Sequence, residues 1–526
     1  MAVKSSGCFG PGVQSSEDMN PAVRELVKQL SLGKAVATDG EGDTGGPIDH
    51  IARVYEVARN ALEYRAEHLV RRAAIERILK RQLVFESDTR RLSESLLLEL
   101  KWAKYVTWES SRPAVVEEIK KIFDKYFVQL KSPAVDREWL VGLISAEIEE
   151  YLNPSKDYYK FTNFAFHCLK KALVSQGLAN FDLILYTAID KIYSQSDNQQ
   201  LAYHLFRLIS NQSGKSDHKV TDQILAETYN HTRQAINSPQ LNRVAVAVRK
   251  LVGPLVLVRD IYFSGPEEFA QIINDEKMFK ERAGQVLAGQ LALLRGRMST
   301  AGMRSLIYVF LTKMLFALIL EIPVDRWIRG EVAWGTLAVN TLFPVGLMWS
   351  LTANIKLPDT RNQERLVLKA WEVVSRDDLS WVGGEQVHLL GETLNLKTKI
   401  FYTVYMVLGM AVFAGIIVTL VRSGFSLVSS VIFLFFVTVV SFFAYRIRQT
   451  AKIYTVKSGR GLGSSLGDML MLPIVTVGSW LSRGVAKLNF LVFVFDFVLE
   501  APFKMILRVM DNWFDFLSRK RDEVVG

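Results

Sequence analysis

Apolar side chains recur every three or four residues along most of the chain, and this is the spacing of one face of an α-helix. The stretch from residue 51 to residue 86 keeps this spacing without interruption, and its charged pairs Glu67–Arg71 and Glu76–Lys80 stand four residues apart on the opposite face. A long amphipathic helix is therefore predicted here. Its apolar face comprises Ile51, Tyr55, Ala58, Leu62, Ala66, Leu69 and Ala73.

More segments with helical spacing follow up to residue 297, and short linkers rich in Pro, Gly, Ser and Asn separate them. Strand-like alternation is nearly absent. The fold class predicted is all-α, with residues 47–299 forming a cytoplasmic helical domain of one or two subdomains. The further helices are predicted at about 92–110, 113–131, 136–152, 158–176, 180–194, 198–212, 219–236, 240–262 and 266–297.

The first 46 residues have a different composition, because Gly, Ser, Asp and Pro dominate them. Such a segment buries too little apolar surface to offset the loss of chain entropy on folding. We expect a disordered tail over residues 1–46, with one short helix at "PAVRELVKQL". The start also lacks the apolar run of a secretory signal, so the N-terminal region is expected to stay in the cytoplasm.

The second half of the chain contains four apolar runs, each about as long as the twenty residues that cross a bilayer of roughly 30 Å. Residues 304–322 and 332–353 form a predicted transmembrane hairpin within 300–353. Residues 400–421 and 425–445 form a second hairpin within 400–446, because only the three residues "RSG" separate them. A four-span α-helical membrane region is therefore predicted.

Basic residues near the ends of these runs predict the orientation, because Lys and Arg concentrate on the cytoplasmic side. The flanks before the first and third runs and after the second and fourth runs are basic, whereas the opposite loops carry few uncompensated charges. Both termini are therefore expected in the cytoplasm, with the chain in a plasma membrane of bacterial type. The basic flanking residues are Arg295, Arg297, Arg304, Lys356, Arg361, Lys397, Lys399, Arg446, Arg448, Lys452, Lys457 and Arg460.

Polar residues inside the first two runs are the intramembrane candidates. Lys313 lies near the middle of the first run, where a charge without a partner costs about 2.5 to 3.5 kcal/mol. Asn340 lies at similar depth in the second run, and Pro344 leaves the Asn340 carbonyl without its helical donor. We expect Lys313 to donate to Asn340 or to that carbonyl, and Glu321 to reach lipid headgroups or Arg326. This arrangement is either a polar clasp between two helices or part of a path for an ion or solute.

The segments outside the spans suggest contact with lipid rather than chemistry. Residues 354–399 are expected to form a cytoplasmic loop with a helix at about 361–376, and its Glu385, His388 and Glu392 give a single helical E-x-x-H step, too little for a metal site. Residues 447–467 are expected to form a basic, glycine-containing linker, and residues 468–526 are predicted to form amphipathic helices on the membrane surface. The candidates for contact with anionic headgroups are Arg446, Arg448, Lys452, Lys457 and Arg460.

Composition narrows the function classes. Of 526 residues 49% are hydrophobic, and the mean hydropathy is +0.14. Residues 1–300 carry 40 basic and 37 acidic side chains, so they lack the positive excess of a nucleic-acid binder. The two cysteines, Cys8 and Cys168, form neither a disulfide framework nor a metal motif, and Cys168 is expected to be a buried small side chain.

No catalytic constellation, cofactor motif or metal-ligand spacing is present, so no enzyme activity and no cofactor are predicted. Helical surfaces commonly bind other proteins. The function predicted is a membrane-anchored binding or scaffold protein whose helical domain binds a protein partner, with anionic membrane lipids as further partners and self-association into a homo-oligomer allowed. The alternative is a subunit of an oligomeric channel or transporter with a polar path around Lys313 and Asn340. A membrane-embedded enzyme acting on lipid is a third and weaker interpretation.

Overall fold

The structure is a computed structural model, and it describes residues 19–31, 67–103, 105–106, 113–132, 136–153, 158–176, 180–212, 221–330, 334–353, 357–382, 387–390, 396–455, 471–482 and 513. These residues are nearly all helical, as the predicted all-α class requires. They divide into two compact units, which we call the helical unit, within Asp18–Arg249 and Arg376–Leu389, and the apolar-helix unit, within Lys250–Ser375 and Leu390–Leu491.

The helical unit is built from short amphipathic helices whose bounds lie close to the predicted ones. Its core consists of aliphatic and aromatic side chains from several of these helices, among them Ile75, Leu96, Phe123, Ile144 and Phe206. The helices are α1 Pro21–Ser31, α2 Glu67–Gln82, α3 Thr89–Trp102, α4 Pro113–Leu130, α5 Arg137–Leu152, α6 Tyr158–Ala172, α7 Phe181–Tyr193, α8 Asn198–Gln212, α9 Asp222–Ile236 and α10 Leu241–Leu251, the last of which ends at the boundary.

Side-chain caps explain where several helices begin. Asp88 precedes α3 and accepts a hydrogen bond from the Arg90 amide, and Asp136 does the same for the Glu138 amide at the start of α5. Each carboxylate satisfies an amide that has no partner within the helix. The start of α5 at this aspartate was predicted from the sequence.

Helix α1 lies inside the segment predicted to be a disordered tail. Its presence at "PAVRELVKQL" was predicted, but its packing was not: Val23 and Leu26 are buried, and α1 packs against α6. Asn20 caps the helix through the Ala22 amide and also donates to the Arg376 carbonyl at 3.1 Å. The apolar face of α1 therefore makes residues 19–31 part of the helical unit.

A small two-stranded ribbon interrupts the helical pattern. Strand β1, Leu173–Gln176, pairs with β2, Val387–Leu390, so the helix predicted at 158–176 ends at Ala172 instead. The E-x-x-H step around His388 assumed a helix, and in a strand successive side chains point to opposite faces. Its outer members, Glu385 and Glu392, lie outside the described residues.

The apolar-helix unit includes helices that the sequence placed in the cytoplasmic domain. Residues 250–299 belong with the apolar helices, because α11 packs on α13 and α16. The boundary therefore lies near residue 250 rather than near 299. The helices of this unit are α11 Gly253–Ser264, α12 Phe269–Ile272, α13 Glu276–Phe316, α14 Ile322–Arg329, α15 Trp334–Ala353, α16 Thr360–Ser375, α17 Leu396–Arg422, α18 Leu427–Ala451 and α19 Met471–Ser482.

Helix α13 is the longest element, with 41 residues, or roughly 60 Å at 1.5 Å per residue. It joins the predicted helix 266–297 to the predicted first span without a break. A π-turn, Ala317–Glu321, then connects it directly to α14. A Cβ on Gly302 would lie 3.4 Å from the Thr352 side chain, which shows how closely α13 approaches α15 at that point.

Three helices among the described residues are long and apolar enough to cross a membrane: Trp334–Ala353, Thr403–Arg422 and Leu427–Gln449. They correspond to the predicted second, third and fourth spans and indicate a membrane protein. Few residues of α17 are buried, about 6% of its apolar stretch, whereas half of the corresponding stretch of α18 is buried. Helix α18 is therefore the central apolar helix, in contact with α13, α15 and α17.

Helix α19 lies in the segment predicted to form amphipathic surface helices. A Cβ on Gly478 would lie 2.0 Å from the Thr438 carbonyl oxygen of α18, a distance that no side chain tolerates. The absence of a side chain therefore lets these two helices meet backbone to backbone. Apart from Trp513, the predicted surface helices beyond residue 482 lie outside the described residues.

Candidate functional site: a buried ion pair among the apolar helices

Lys313 and Glu321 form an ion pair in the interior of the apolar-helix unit. Both side chains are fully buried, and the Lys313 Nζ donates to Glu321 Oε1. Asn340 of α15 is 1% exposed and donates from Nδ2 to the other carboxylate oxygen of Glu321 at 2.8 Å. One carboxylate thus accepts from a lysine on its own helix and from an asparagine on a neighbouring helix.

The partners differ from those expected. Glu321, expected to reach headgroups or Arg326, is buried and accepts from Lys313 and Asn340, and Lys313 pairs with this glutamate rather than with Asn340 or the Asn340 carbonyl. The physical reason is charge: in apolar surroundings an ammonium gains far more from a carboxylate than from a neutral oxygen. The clasp between the two helices therefore runs through Glu321.

The π-turn brings the pair together. Eight residues of α-helix rotate by about 800°, which would set Lys313 and Glu321 about 80° apart around the axis. A π-turn accommodates one extra residue, which reduces the offset to about 20°. Pro323 accounts for its position, because this residue has no N–H for the Ile319 carbonyl and its ring clashes with a regular helix there. The local sequence thus turns Glu321 towards Lys313.

Asn340 also ties the pair to α18. Its Nδ2 lies 3.4 Å from the Ser429 carbonyl oxygen, so one amide group contacts two other helical segments. Its own Oδ1 has no hydrogen-bond partner among the described residues. Pro344, four residues on, is buried inside α15 and supplies no N–H to the Asn340 carbonyl. The Asn340 carbonyl therefore lacks the donor that it would have in a regular helix.

The aromatic ring of Phe436 completes the surroundings of the lysine. Its centroid lies 5.0 Å from Lys313 Nζ, within the range of a cation–π contact. Phe436 belongs to α18 and is 5% exposed. Lys313 therefore lies between a carboxylate and an aromatic face, both shielded from solvent.

Buried serines cluster at the start of α18, next to the Asn340 contact. Ser426 Oγ accepts from the Ser429 amide at 3.1 Å and donates to Ser429 Oγ at 2.9 Å, and Ser430 Oγ donates to the Ser426 carbonyl. These hydroxyls form hydrogen bonds with one another and with main-chain groups in the first turn of the helix, which water would otherwise have to satisfy. The end of α18 that contacts Asn340 thus carries a group of buried hydroxyls.

The five basic candidates for lipid headgroups are only partly described. Arg446 and Arg448, in the last turns of α18, are exposed. The side chain of Lys452, and Lys457 and Arg460 as whole residues, lie outside the described part. The contact of this segment with lipid stays a prediction.

A second buried charge cluster lies in the helical unit, and sequence reasoning missed it. His204 of α8 is fully buried, with Nδ1 at 2.7 Å from Asp190 Oδ1 and Nε2 at 3.6 Å from Glu150 Oε2. Arg207 pairs with Glu150 and lies over the Tyr159 ring. These residues come from α5, α6, α7 and α8, and no motif links their spacings.

Electrostatics in this cluster favour the charged forms. Burial lowers the pKa of His204, but Asp190 and Glu150 more than reverse this and raise it to about 10. Burial likewise raises the pKa of Glu150, while Arg207 and His204 outweigh it and hold this pKa below its usual value. The cluster is therefore a buried set of balanced charges.

The described residues contain one cysteine, Cys168, and no cluster of metal ligands. Cys168 is buried, as predicted, and burial raises its pKa to about 12, so the reactive thiolate is absent at neutral pH. Among the described residues no three His, Cys, Asp or Glu side chains converge on a metal position. The chain matches no protein-family model, no curated protein and no solved structure.

Proposed function

We propose that this protein is a membrane-anchored binding protein whose helical unit docks a protein partner. The observation that carries the proposal is the division of the chain into a helical unit with its own hydrophobic core and a unit that contains three apolar, membrane-length helices. A compact all-α body without a metal cluster among its described residues fits recognition better than chemistry.

The anchor in this proposal has four spans, with both termini on the cytoplasmic side of a plasma membrane. The first span is the apolar end of α13, where Lys313 has a partner and the outward face is apolar, as lipid contact requires. Basic flanks support the orientation. The exposed apolar side chains on this end of α13 and the π-turn are Met303, Ile307, Phe310, Leu311, Met314, Leu318 and Ile319.

Cysteine labelling tests the topology. In a variant without Cys8 and Cys168, a cysteine at Ser423 should react with an impermeant reagent added outside intact cells, and a cysteine at Ser458 should react only after lysis. The reverse pattern would overturn the proposed orientation.

Site-specific photocrosslinking of the full chain in native membranes tests the binding function. A photoreactive residue in place of exposed Phe85, Val128 or Val246 of the helical unit should capture a distinct protein, whereas the same residue at exposed Leu427 of α18 should not. Mass spectrometry identifies the captured chain. Capture of only a second copy of this protein at all four positions would contradict the proposal.

A second function, a subunit of an oligomeric channel or transporter, is favoured by one observation: the buried Lys313–Glu321–Asn340 cluster among apolar helices. Ionisable residues at membrane depth commonly mark ion or proton paths. Proteoliposomes should then show cation flux above that of empty vesicles, and Glu321→Gln should abolish it. Equal flux through the wild type and this variant would exclude a path through the cluster.

A further inference from the structure

Helix α19, Met471–Ser482, has the composition of a segment inside a bilayer rather than that of a helix on its surface. It contains no charged residue, and the large side chains that it exposes are apolar: Leu472, Val477 and Trp480. An interfacial helix carries a charged or strongly polar face towards water, and α19 has no such face. The Thr476 hydroxyl donates to the Leu472 carbonyl, so this group does not need water either. The exposed side of α19 is therefore suited to lipid.

Contacts with α17 fix the depth at which α19 begins. A Cβ on Gly409 would lie 3.4 Å from the Pro473 Cβ, and the hydroxyls of Tyr405 and Thr476 are hydrogen-bonded at 3.0 Å. The contact point moves back along α17 as α19 advances, so the two helices are antiparallel. Gly409 is the central residue of α17, Leu396–Arg422. The first turn of α19 therefore lies half-way along a membrane-length helix.

Contacts with α18 give the same depth independently. Ile474 packs against the apolar cluster that contains Val437, and a Cβ on Gly478 would lie 2.9 Å from the Phe442 Cβ. The contact point here moves forward along α18, so α19 runs parallel to it. Val437 is next to the centre of the membrane-length helix Leu427–Gln449. Both neighbours thus place the start of α19 near the middle of their own spans.

The length of α19 then determines where it ends. Residues 471–482 measure about 18 Å at 1.5 Å per residue, which is a little more than half of the roughly 30 Å of a hydrocarbon core. Because α19 starts at mid-depth and runs parallel to α18, it carries Ser482 to the surface at which α18 ends. Trp480, 68% exposed, lies near that end, where aromatic side chains favour the interface.

The chain that precedes α19 comes from the same surface. After Ala451, the last residue of α18, Tyr454 lies beyond the span and donates to Asp260 of α11. Its carbonyl accepts from Asn362 of α16 at 3.0 Å. These contacts hold the end of α18 against helices that lie outside the three apolar spans.

Chain length excludes a complete crossing before α19. Fifteen residues, 456–470, join Thr455 to Met471. A fully extended chain covers at most about 3.6 Å per residue, so reaching the opposite surface across roughly 30 Å takes about nine residues. A helix that returned from there to mid-depth would need about ten more. Fifteen residues are too few for both, so α19 is not the second half of a crossing helix.

We propose that α19 is a re-entrant helix: the chain enters the bilayer after α18, turns near mid-depth before Met471, and leaves through α19 at the surface from which it entered. Thr455 and Ser482 then lie on one side of the membrane, and no span is added. The amides in the first turn of α19 lie at mid-depth, where acceptors are scarce. Pro473 lies in that turn and has no N–H, which reduces the number of donors that need a partner.

This inference goes beyond both functions proposed above, because it concerns how the chain sits in the bilayer and needs neither a protein partner nor transport. It also holds for either orientation of the spans. Failure to capture a partner, failure to detect flux or a reversed topology would leave it unaffected.

Depth measurement by spin labelling is the first test, with the full chain in nanodiscs and both native cysteines replaced. Nitroxide labels at Leu472→Cys and Trp480→Cys are compared with labels at Met410→Cys of α17 and Leu427→Cys of α18, all on exposed positions. The ratio of collision rates with O₂ and with a water-soluble Ni²⁺ complex gives each depth. We expect the label at 472 to be as deep as that at 410, and the label at 480 to be about 12 Å shallower.

Disulfide crosslinking tests the register in the same background. The pair Gly409→Cys/Pro473→Cys places two Cβ atoms 3.4 Å apart, close to the separation in a disulfide, so oxidation with copper phenanthroline should join them. The pair Gly415→Cys/Pro473→Cys is the control, because no atom lies within 4 Å of the Cβ position of Gly415. Its yield, measured by mass spectrometry of the linked peptides, should be several-fold lower.

Sided labelling tests the re-entrance itself. An impermeant thiol reagent should modify Ser482→Cys only in vesicles of the orientation in which it modifies Ser458→Cys. A cysteine at Leu472 should resist the reagent in vesicles of both orientations, because it lies at mid-depth.

Three results would each overturn the proposal. Equal and shallow depths for the labels at 472 and 480 would make α19 a surface helix. Modification of the cysteines at 458 and 482 from opposite sides would make the segment a further span. Crosslinking of the Gly415 pair in preference to the Gly409 pair would exclude the register, and the depth measurement decides the question if variants at Pro473 fail to fold.

Discussion

The two buried charge clusters of this protein contrast in composition and surroundings. In the helical unit, Asp190 and Glu150 face His204 and Arg207, and the four residues come from three helices. In the apolar-helix unit, Lys313 and Glu321 stand on one continuous helical segment, and the only other polar side chain that contacts either of them in the described part is the amide of Asn340. The first cluster balances four charges, whereas the second balances two.

The two clusters also differ in the unfolded state with which their stability is compared. A helix of the helical unit leaves water when it folds, so each buried charge loses its full hydration and needs strong partners. An apolar helix already inserted in lipid has lost that hydration, so its pair is compared with lipid or with other helices. Burying an ion pair therefore costs more hydration free energy on folding in the helical unit than among the apolar helices. Among the apolar helices the pair mainly determines which helices associate.

The largest expected effect is the loss of one partner in the helical unit. Asp190→Asn leaves the His204 imidazolium buried without its closest carboxylate, and the free energy of unfolding of this unit should fall by about 3 to 5 kcal/mol. Amide hydrogen exchange in α7 and α8 of the full chain measures this locally. Asp182→Asn on the same helix is the control: its pair with Lys170 is exposed, and the change should stay below about 1 kcal/mol. Similar losses in the two variants would contradict this interpretation of the cluster.

A slightly smaller effect is expected among the apolar helices. Lys313→Met leaves the Glu321 carboxylate without a charge partner and should destabilise the apolar-helix unit by about 2 to 3 kcal/mol. The double variant Lys313→Met/Glu321→Gln removes both charges and should recover most of that loss, as thermal unfolding in nanodiscs would show. A double variant as unstable as the single one would show that the pair itself contributes little.

Close packing provides a test that involves no charge. Gly478→Ala places a methyl group against the Thr438 carbonyl, so α19 must move away from α18, at a cost of about 1 to 3 kcal/mol. Gly346→Ala on α15 is the control, because no atom lies within 4 Å of its Cβ position. Equal midpoints for both variants would mean that α19 does not depend on this close contact.

The smallest expected effect is the change in the free energy of unfolding of the helical unit per pH unit, which can be measured without mutation. The pKa of His204 is raised from 6.5 to about 10, so its stabilising contribution is complete below pH 6.5 and is lost as the pH rises towards 10. The helical unit should lose up to about 1.4 kcal/mol per pH unit within this range. His204→Gln should abolish the slope in denaturation or hydrogen-exchange data. A wild-type slope equal to that of the variant would contradict the charged state of His204.

Helix positions were predictable to within a few residues for most of the helical unit, because buried faces repeat with the helical period. Helix α8, for example, was predicted at 198–212 and is found there. Exceptions arose where a long-range partner intervened: residues 173–176 form a strand because Val387–Leu390 pairs with them. The sequence likewise did not indicate that Arg71 binds Glu149 of α5 through two nitrogens, at 2.5 and 2.8 Å. The side chain of Glu67, the predicted partner of Arg71, lies outside the described part.

The candidate site was predictable in its members but not in its contacts. Lys313, Asn340, Pro344 and Glu321 stood out because polar residues and proline are rare in apolar runs. Their pairing depends on the π-turn, which changes the rotation between Lys313 and Glu321, and on the approach of α15 and α18. The His204 cluster gave no signal, because the four residues that form it are far apart in sequence and each is common on amphipathic helices.

The sequence by itself determined the all-α class, the bounds of most helices and the three apolar helices long enough to cross a membrane, because periodicity and run length are local properties of the chain. Tertiary structure alone decided that Glu321 is the partner of Lys313, that residues 250–299 belong with the apolar helices, and that His204 lies between two carboxylates. These features depend on which helical faces meet. That outcome follows from packing the whole chain, since no single segment encodes its own neighbour.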